Sequence, residues 1–385
     1  MPRLYLDYNA TAPLRPEARA AMVEALSAVG NASSVHSEGR DARRRIEAAR
    51  AAVAALAGGE AKLVTFTGGG TEANATVLTP DWSIAGKPHR IETLLVSGIE
   101  HVSVLSGGRF RDDQLRRIPV DGEGVVRLDA LSAALAAAKG PVLLSLMLAN
   151  NETGAIQPVA DAARIAHAAG ALVHTDAAQT AGRIPVDLRA LGVDVLTLSA
   201  HKLGGPQGAG AILRASEDLV FAPLLTGGGQ ERRTRAGTEN VAAIVGFGAA
   251  ATAAGADVGR MPALARWRDE LAGVVRGSIG KVTVFSESAP RLPQTLCFAV
   301  EGVSAETLVI ALDLAGVAVS SGSACSSGKV APSHVLAAMG IAQSVAKGAI
   351  RLSLGWDSKE SDLHLFSTAW RHVLKHLAPN KPQAA

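Results

Sequence analysis

Short apolar runs that end in polar or glycine-rich turns recur along the chain, and alanine-rich stretches separate several of them. Four of these runs are predicted strands: Leu94–His101, Pro141–Ala149, Ala171–Gln179 and Val193–Leu198. Such runs are typical of strands buried on both faces of a parallel sheet. Val159–Ala169, between two of them, has the composition of a helix. This strand–helix alternation predicts an α/β fold with a mainly parallel sheet.

Further helices are predicted at Glu17–Val29 and Glu38–Ala57 from the spacing of their apolar residues. An Ala/Gly-rich helix near Val241–Ala254 is expected to lead out of a large domain that spans residues 14–255. Residues 1–13 and 256–385 are expected to form a smaller α+β domain, in which Leu296–Val300 alternates like a strand.

Lys202 follows the predicted strand Val193–Leu198 and precedes a glycine-rich turn. The carboxyl ends of strands in open α/β sheets face the crevice where these folds bind ligands. A lysine buried there has a lowered pKa, so its amine is available as a nucleophile or for a Schiff base. Taken alone, Lys202 fits the alternative of a solvated loop lysine better.

Two other segments change this interpretation. Asp176 ends another predicted strand, so Asp176 and Lys202 would face one crevice. The pair suits pyridoxal phosphate, because a lysine binds its aldehyde and a carboxylate keeps its pyridine nitrogen protonated. Phe66–Asn74 has the pattern of a strand, a glycine turn and a helix start, so its backbone N–H groups would face a phosphate. Together the three segments predict a pyridoxal phosphate site.

These segments resemble the cysteine desulfurases, which belong to the class V aminotransferase-like, fold-type I pyridoxal phosphate enzymes. The resemblance extends in order from Tyr5–Pro13 to Ile350–Gly355. Its most specific motif is Ser320–Gly328, with the sequence SSGSACSSG, which looks like the family's active-site cysteine loop. This form is similar to the branch with a longer cysteine loop, which passes sulfur to iron–sulfur scaffold proteins and other acceptors. The resemblance implies a transferase that acts on L-cysteine, with large and small domains.

The resemblance also implies roles for individual residues. Lys202, Cys325 and His101 match the catalytic lysine, the cysteine that carries the persulfide, and the histidine that covers the cofactor face and transfers protons. The residues implied to bind the cofactor are Gly70, Thr71, Asn151, Asp176, Gln179, Ser199, His201 and Lys202, with Thr238 reaching the phosphate of the neighbouring subunit in a homodimer. Arg351 and Asn151 are implied to bind the substrate carboxylate.

Several of these positions have structural alternatives. His101 alone would be a satisfied structural histidine, Arg351 a surface arginine, and the loop Thr226–Asn240 a surface excursion. Cys297 lies in an alternating strand and is expected to be inert core. The arginines of the helix Glu38–Ala57 are interpreted as a solvated face rather than a nucleic-acid site; they are Arg40, Arg43, Arg44, Arg45 and Arg50.

The composition limits the possible domain number, partners and metal sites of the chain. A length of 385 residues suits about two domains with an ample core. The net charge of +3 comes from scattered residues, so neither nucleic acid nor a membrane is an expected partner. Two cysteines exclude a disulfide framework and a four-cysteine metal site, and no metal is expected. Met1–Leu4 begins no signal sequence, so a cytoplasmic protein is expected.

Several residues depart from the family pattern. Gly68 and Gly70 stand for the usual Ser and Ala, Ala200 for Gly, and Trp356 for Arg, and none of these changes removes a catalytic group. Two other functions stay open: a related class V aminotransferase or selenocysteine lyase, and a non-enzymatic protein that only docks a partner. Transamination does not need Cys325, and a docking protein would not need the cofactor.

Overall fold

A computed structural model describes residues 3–277, 281–322 and 333–377. Its strands, in chain order, are β1 Leu4–Tyr5, β2 Val64–Thr67, β3 Asp81–Ile84, β4 Lys87–Arg90, β5 Thr93–Ser97, β6 Leu115–Ile118, β7 Val142–Ser145, β8 Leu172–Asp176, β9 Val195–Ser199, β10 Gly210–Arg214, β11 Leu219–Phe221, β12 Val282–Val284, β13 Thr295–Val300, β14 Val317–Ala318, β15 Ser320–Ser321 and β16 Ala349–Ser353.

The α-helices of the same residues are α1 Pro16–Leu26, α2 Ser37–Leu56, α3 Gly70–Val77, α4 Val102–Leu105, α5 Leu128–Ala137, α6 Val159–Ala168, α7 Leu188–Leu191, α8 Val241–Asp257, α9 Met261–Arg276, α10 Ala305–Leu314, α11 His334–Ala338, α12 Gln343–Ala346 and α13 Ser361–Leu377. The predicted helices and strands are present, with ends that differ by a few residues. Sequence periodicity locates the body of an element better than its ends, because caps and turns decide the ends.

The central sheet has the order β2-β10-β9-β8-β7-β5-β6. Strands β9, β8, β7, β5 and β6 are parallel to one another, as predicted, while β10 is antiparallel to both β9 and β2. The pairing of Asp176 with Thr197 brings the carboxyl ends of β8 and β9 side by side. The residues that follow these two strands therefore meet at one edge of the sheet.

The predicted strand Pro141–Ala149 is shorter in the structure, because β7 ends at Ser145. The residues that follow stay buried and remain paired with β8. Leu146 N donates to His174 O, and Leu148 N donates to Asp176 O. The apolar run thus correctly marks a buried extended segment, of which only the first half is a regular strand.

Helices α2 and α8 cover one face of the central sheet. In α2, buried Ala42, Ile46, Ala49 and Val53 recur at helical spacing, and this stripe packs on α8. Asn240 Oδ1 caps the start of α8 by accepting a hydrogen bond from Ala243 N at 3.1 Å.

A second hydrophobic core lies around the antiparallel sheet β12-β13-β16-β15. Leu4 and Leu6 from the N-terminal segment pack in this core with Phe298, Ile350 and Trp370. The packing is consistent with residues 1–13 joining the C-terminal part of the chain. The domain boundaries at residues 14 and 255 stay a prediction.

Within the described ranges, one stretch, Val241–Arg276, is long and apolar enough to cross a membrane by length and composition alone. The stretch comprises α8, a 3-10 turn at Val258–Arg260, and α9. Phe247 of α8 is fully buried in the core, where α8 packs against α1 and α2. In the apolar window of this stretch, 44% is buried inside the protein, so core packing accounts for part of its apolar character.

Candidate active site

A cavity of about 790 Å³ opens at the carboxyl ends of β8 and β9. The predicted site residues that line it are Gly70, Thr71, His101, Asn151, Asp176, Gln179, Ser199, His201, Lys202 and Arg351. These residues come from six separate regions of the sequence. The chain fold therefore brings most of the predicted site together.

Lys202 ends a short 3-10 turn, Ala200–Lys202, that directly follows β9. Its Nζ donates to the backbone oxygens of Asn9, at 2.7 Å, and Ala10, at 2.9 Å. The side chain is half-buried and borders the cavity, so the alternative of a fully solvated loop lysine is wrong. The N-terminal segment thus supplies the acceptors that hold the amine in the cavity.

Asp176, the last residue of β8, presents its carboxylate to the same cavity. Oδ1 accepts from Ala178 N at 2.9 Å, and Oδ2 accepts from Asn74 Nδ2 at 2.7 Å. Hydrogen bonds to both oxygens fix the orientation of the Asp176 side chain. Asn74 belongs to α3 and was not anticipated as a site residue, although it follows the glycine turn by only four residues.

The start of α3 borders the cavity and has the features of an anion-binding site. Gly70 is the first residue of this helix, whose first backbone N–H groups lack intrahelical acceptors, and the side chains of Thr71, Ser199 and His201 border the same part of the cavity. A Cβ on Gly70 would lie 3.2 Å from Ser199 Cβ. The missing methyl group at this position therefore keeps the helix start close to the end of β9.

Gly68, the other glycine that departs from the family pattern, has a different neighbour. Gly68 N donates to Glu72 Oε2 at 2.7 Å, and Glu72 Oε1 accepts from Arg235 Nε at 2.9 Å. A Cβ on Gly68 would lie 2.5 Å from Glu72 Oε2. The glycine therefore permits the Glu72 carboxylate to fold back on the turn, with Arg235 offsetting its charge.

The two histidines of the cavity are disposed to be neutral at physiological pH. Burial lowers the pKa of His201 to about 4, and the nearby Lys202 and Arg183 act in the same direction. Burial also lowers the pKa of His101; Asp176 opposes this effect, and Lys202 adds to it.

His101 caps the short helix α4. Its Nδ1 lies 2.8 Å from Ser103 Oγ and accepts a hydrogen bond from Ser103 N at 3.2 Å. The ring therefore has a fixed orientation on the cavity wall, which a mobile surface histidine would lack.

Gln179 and Arg183 hold the N-terminal segment against the Lys202 turn. Gln179 Nε2 donates to Asn9 O at 3.0 Å, and Arg183 Nη1 donates to Gln179 Oε1 at 2.6 Å. Arg183 Nη2 donates to the backbone oxygen of Lys202 at 2.9 Å. Arg183 was missed by sequence reasoning, because Asn9 and Lys202, which it also contacts, are distant from it in the sequence.

Arg351 is 1% exposed, so its interpretation as a surface arginine is wrong. Nη1 donates to the backbone oxygen of Asn151 at 2.9 Å, and Nη2 donates to Asp7 Oδ1 at 2.8 Å. Nε is buried and has no hydrogen-bond partner among the described residues. A buried guanidinium that borders the cavity suits a carboxylate ligand.

Among the predicted site residues that the structure describes, Thr238 does not line the cavity. Thr238 is exposed and borders a neighbouring depression of about 170 Å³ with Arg235 and Glu231. Cys325 lies outside the described residues. The other cysteine, Cys297, is fully buried in β13, and burial raises the pKa of its thiol. The prediction that Cys297 is core is confirmed.

The prediction of a solvated arginine face on α2 is wrong for one residue. Arg50 is buried and makes a bidentate ion pair with Glu231, through Nη1–Oε2 at 2.7 Å and Nη2–Oε1 at 2.9 Å. Glu231 Oε2 also accepts from Phe66 N at 2.9 Å. The ion pair attaches the loop Thr226–Asn240 to the sheet, so this loop is not a loose surface excursion.

The comparisons with known proteins agree with the site. Residues 4–366 match the family model described as aminotransferase class-V. A cysteine desulfurase of Cereibacter sphaeroides is 45% identical over 361 residues, which cover 92% of this chain and 91% of the relative. The cysteine desulfurase IscS of Dictyoglomus turgidum is 39% identical over 388 residues, which cover 98% of this chain and 96% of the relative.

A solved structure extends this agreement to the fold. The NifS-like protein from Rickettsia africae has a TM-score of 0.87 at 32% identity, and the match covers 97% of this chain and 99% of that one. Close similarity over almost the full length shows the same fold-type I architecture, and the family implies a pyridoxal phosphate cofactor. The chain therefore belongs to the class V aminotransferase family and, within it, to the cysteine desulfurases.

Proposed function

We propose that the chain converts L-cysteine to L-alanine with pyridoxal phosphate as cofactor, and that Cys325 receives the sulfur and passes it to an acceptor protein. The observation that carries this proposal is the meeting of Lys202, Asp176 and the start of α3 around one cavity, in a chain that belongs to the desulfurases. This combination offers a separate partner to each functional group of the cofactor.

The donor set fits pyridoxal phosphate. Lys202 would bind the aldehyde, the Asp176 carboxylate would hold the proton on the pyridine nitrogen, and the start of α3 with Thr71, Ser199 and His201 would hold the phosphate. Gln179 and Asn151, which also line the cavity, would bind the ring oxygen of the cofactor. The bound cofactor supplies an electron sink for the bonds at the substrate α-carbon.

The chain's own residues would bind and orient the substrate. Arg351 and Asn151 are assigned to the carboxylate of L-cysteine, and the burial of Arg351 makes each charge-assisted hydrogen bond stronger than it would be in water. His101 would exchange a proton with substrate at a ring nitrogen. Because burial lowers its pKa, the His101 ring is neutral at pH 7 and is not the imidazolium cation before the reaction.

Sulfur transfer balances without another reactant. The carbon–sulfur bond of L-cysteine breaks, a sulfur–sulfur bond forms at Cys325, and the thiol proton of Cys325 is retained in the products, alanine and a persulfide. Only a thiolate attacks efficiently, so a base has to accept the Cys325 proton. Cys297 is unsuited to the task, because burial raises its thiol pKa and β13 encloses it.

We further propose that the acceptor is a protein such as an iron–sulfur scaffold, and that the chain acts in the cytoplasm as a homodimer. The exposed position of Thr238, outside the cavity of its own subunit, supports a role at the site of a second subunit. The anchored loop Thr226–Asn240 would hold Thr238 in place for that contact.

The test is alanine and sulfide formation from L-cysteine with a reductant. We expect the wild-type chain to form both products and Cys325→Ser to bind the cofactor but form no sulfide. Cys297→Ala is the matched control, because it removes the other cysteine and should stay active. If Cys325→Ser turned over as fast as the wild type, the result would contradict the proposal and favour a class V aminotransferase. If the wild type failed to bind the cofactor, the result would favour a docking protein.

A further inference from the structure

A chain of buried hydrogen bonds lies behind the cavity wall, between β7 and α3. His174 Nδ1 is 2.8 Å from Ser145 Oγ, and His174 Nε2 is 3.0 Å from Thr197 Oγ1. Thr197 Oγ1 is in turn 2.6 Å from Asn74 Oδ1. Each of these residues is at most 1% exposed, so every hydrogen bond needs a proper donor and acceptor.

The carboxylate of Asp176 fixes the direction of the Asn74 amide. An ionised carboxylate only accepts hydrogen bonds, so the Asn74 atom that lies 2.7 Å from Asp176 Oδ2 has to be the amide nitrogen. The amide oxygen then faces Thr197, whose hydroxyl donates to it. A flipped amide would place two acceptors against each other in a buried site, which is costly.

The same reasoning assigns the proton on His174. The single hydroxyl proton of Thr197 is used on Asn74, so Thr197 Oγ1 can only accept from His174 Nε2. Burial lowers the pKa of His174 to about 4, which keeps the ring neutral at pH 7. His174 therefore carries its proton on Nε2, and Nδ1 accepts from the hydroxyl of Ser145.

The second N–H of Asn74 leads toward His101. Asn74 Nδ2 donates to Ser103 Oγ at 3.0 Å, which leaves the Ser103 hydroxyl proton for His101 Nδ1 at 2.8 Å. The backbone N–H of Ser103 points at the same ring nitrogen, at 3.2 Å, and a backbone N–H can only donate. Nδ1 of His101 is therefore an acceptor, and the neutral ring carries its proton on Nε2.

We propose that Asn74 is a positioning residue, which holds the Asp176 carboxylate directly and supports the Nε2–H tautomer of His101 through Ser103. Neutral His101 then presents a proton donor at Nε2 instead of a lone pair. The Asn74 amide thus orients both the Asp176 carboxylate, which is assigned to the pyridine nitrogen, and the His101 ring, which is assigned to proton transfer. An effect of Asn74 on the turnover of L-cysteine rests on the proposed function. The tautomer of His101 and the orientation of Asp176 do not depend on that function.

The tautomer can be observed directly by ¹⁵N NMR of the full chain labelled at histidine, with the His101 signals assigned by their loss in His101→Gln. We expect His101 Nδ1 to resonate as an unprotonated acceptor nitrogen and Nε2 as a protonated nitrogen at pH 7. A protonated Nδ1 in the wild type would overturn the assignment. The protonation of the two ring nitrogens can be measured whether or not the chain acts on L-cysteine.

Cofactor affinity tests the second part of the proposal. In Asn74→Ala, the loss of a hydrogen bond to the Asp176 carboxylate is expected to weaken binding of pyridoxal phosphate about tenfold or more. Thr197→Val removes the hydroxyl that holds the amide oxygen, and it should weaken binding in the same direction while it preserves the shape of the core. This second variant keeps the test valid if Asn74→Ala does not fold.

Thr175→Val is the matched control. Thr175 is equally buried in β8, but its hydroxyl donates to the backbone oxygen of Leu146, outside the Asn74 chain. We expect this variant to bind pyridoxal phosphate within about twofold of the wild type. Wild-type affinity in both Asn74→Ala and Thr197→Val, or an equal loss in Thr175→Val, would overturn the proposal. An Asn74-dependent affinity in a chain that is inactive on L-cysteine would support it while contradicting the proposed function.

Discussion

Burial changes the protonation of single residues around the cavity, and Glu100 shows this most clearly. The residue precedes His101 and is 0% exposed. Its Oε1 accepts from Ser97 Oγ at 2.6 Å and from Met147 N at 2.9 Å, while Oε2 has no hydrogen-bond partner among the described residues. Burial raises the pKa of Glu100 to about 8, so the carboxyl is protonated in the folded protein at neutral pH.

We predict that Glu100→Gln changes the pH dependence of stability. The folded pKa of Glu100 lies above the ordinary value of 4.5, so folded wild type binds more protons than the unfolded chain between about pH 4.5 and about pH 8. Wild-type stability therefore falls as the pH rises through that window, and a glutamine does not titrate. The free energy of unfolding of Glu100→Gln, relative to wild type, should rise by on the order of 4 kcal/mol between about pH 5 and about pH 8.5. Urea unfolding measures this change, and a pH-independent difference would contradict the assignment.

For single residues, the sequence predicts which side chains face the cavity. It is less successful in predicting which other residues hold those side chains in place. Asp176 and Lys202 could be found because each follows an apolar run, and parallel strands present such residues at one edge. Asn74 and Arg183 could not be assigned, because their partners are distant in sequence and only the sheet register brings them together. The surface interpretation of Arg351 failed for the same reason, since Asp7 is its partner.

At the scale of elements, the loop Thr226–Asn240 depends on the buried ion pair of Arg50 with Glu231. The Arg50 guanidinium also lies over the ring of Phe66, 4.9 Å from its centroid. Helix α2, strand β2 and the loop are thus connected through one arginine. An arginine in a charged helix face gives no sequence signal of this burial, because its partner is 181 residues away.

We predict that Glu231→Ala strongly destabilises the chain. The change leaves Arg50 buried without its carboxylate, which should lower the free energy of unfolding by about 3–5 kcal/mol. The double variant Arg50→Met/Glu231→Ala should lose less than the sum of the two single variants, because neither charge remains. Arg44→Ala on the same helix, which breaks an exposed ion pair with Asp41, should cost less than about 1 kcal/mol. Urea unfolding that gives Glu231→Ala and Arg44→Ala similar stabilities would disprove the structural role.

At the scale of the whole molecule, Trp356 joins parts of the chain that are far apart in sequence. Its Nε1 donates to Pro13 O at 3.0 Å, and its backbone oxygen accepts from Arg260 Nη1 at 3.1 Å. The guanidinium of Arg15 lies over its ring, 5.1 Å from the centroid, and Arg15 is paired with Asp257 at 2.7 Å. The residue that departs from the family pattern thus connects the N-terminal segment with the end of α8.

We predict that Trp356→Arg, which introduces the residue usual in the family, destabilises this chain. The change removes the aromatic face that Arg15 contacts and places a second cation beside it, so it should cost about 1–2 kcal/mol in urea unfolding. Trp356→Phe is the control, because it keeps a ring under Arg15 and loses only the Nε1 hydrogen bond. Equal stability of Trp356→Arg and wild type would mean that the contact with Arg15 does not stabilise the protein.

The overall architecture was largely predictable, because strand–helix alternation and buried apolar runs imply a parallel sheet. The antiparallel strand β10 and the small sheet β11-β3-β4 were not predicted. Strand direction depends on connections and pairing partners, which local periodicity does not contain. Trp356 shows the same limit, because its contacts with Pro13 and Arg15 arise only in the folded chain.

The most direct test of the account is to find where sulfur resides after one turnover. Wild type loaded with pyridoxal phosphate would be mixed with L-cysteine, quenched with a thiol-alkylating reagent, digested and analysed by mass spectrometry. The account predicts one added sulfur atom on the peptide that contains Cys325, an equivalent amount of alanine, and no added sulfur on Cys297. Alanine formed without sulfur on Cys325, or sulfur on Cys297 instead, would contradict the account.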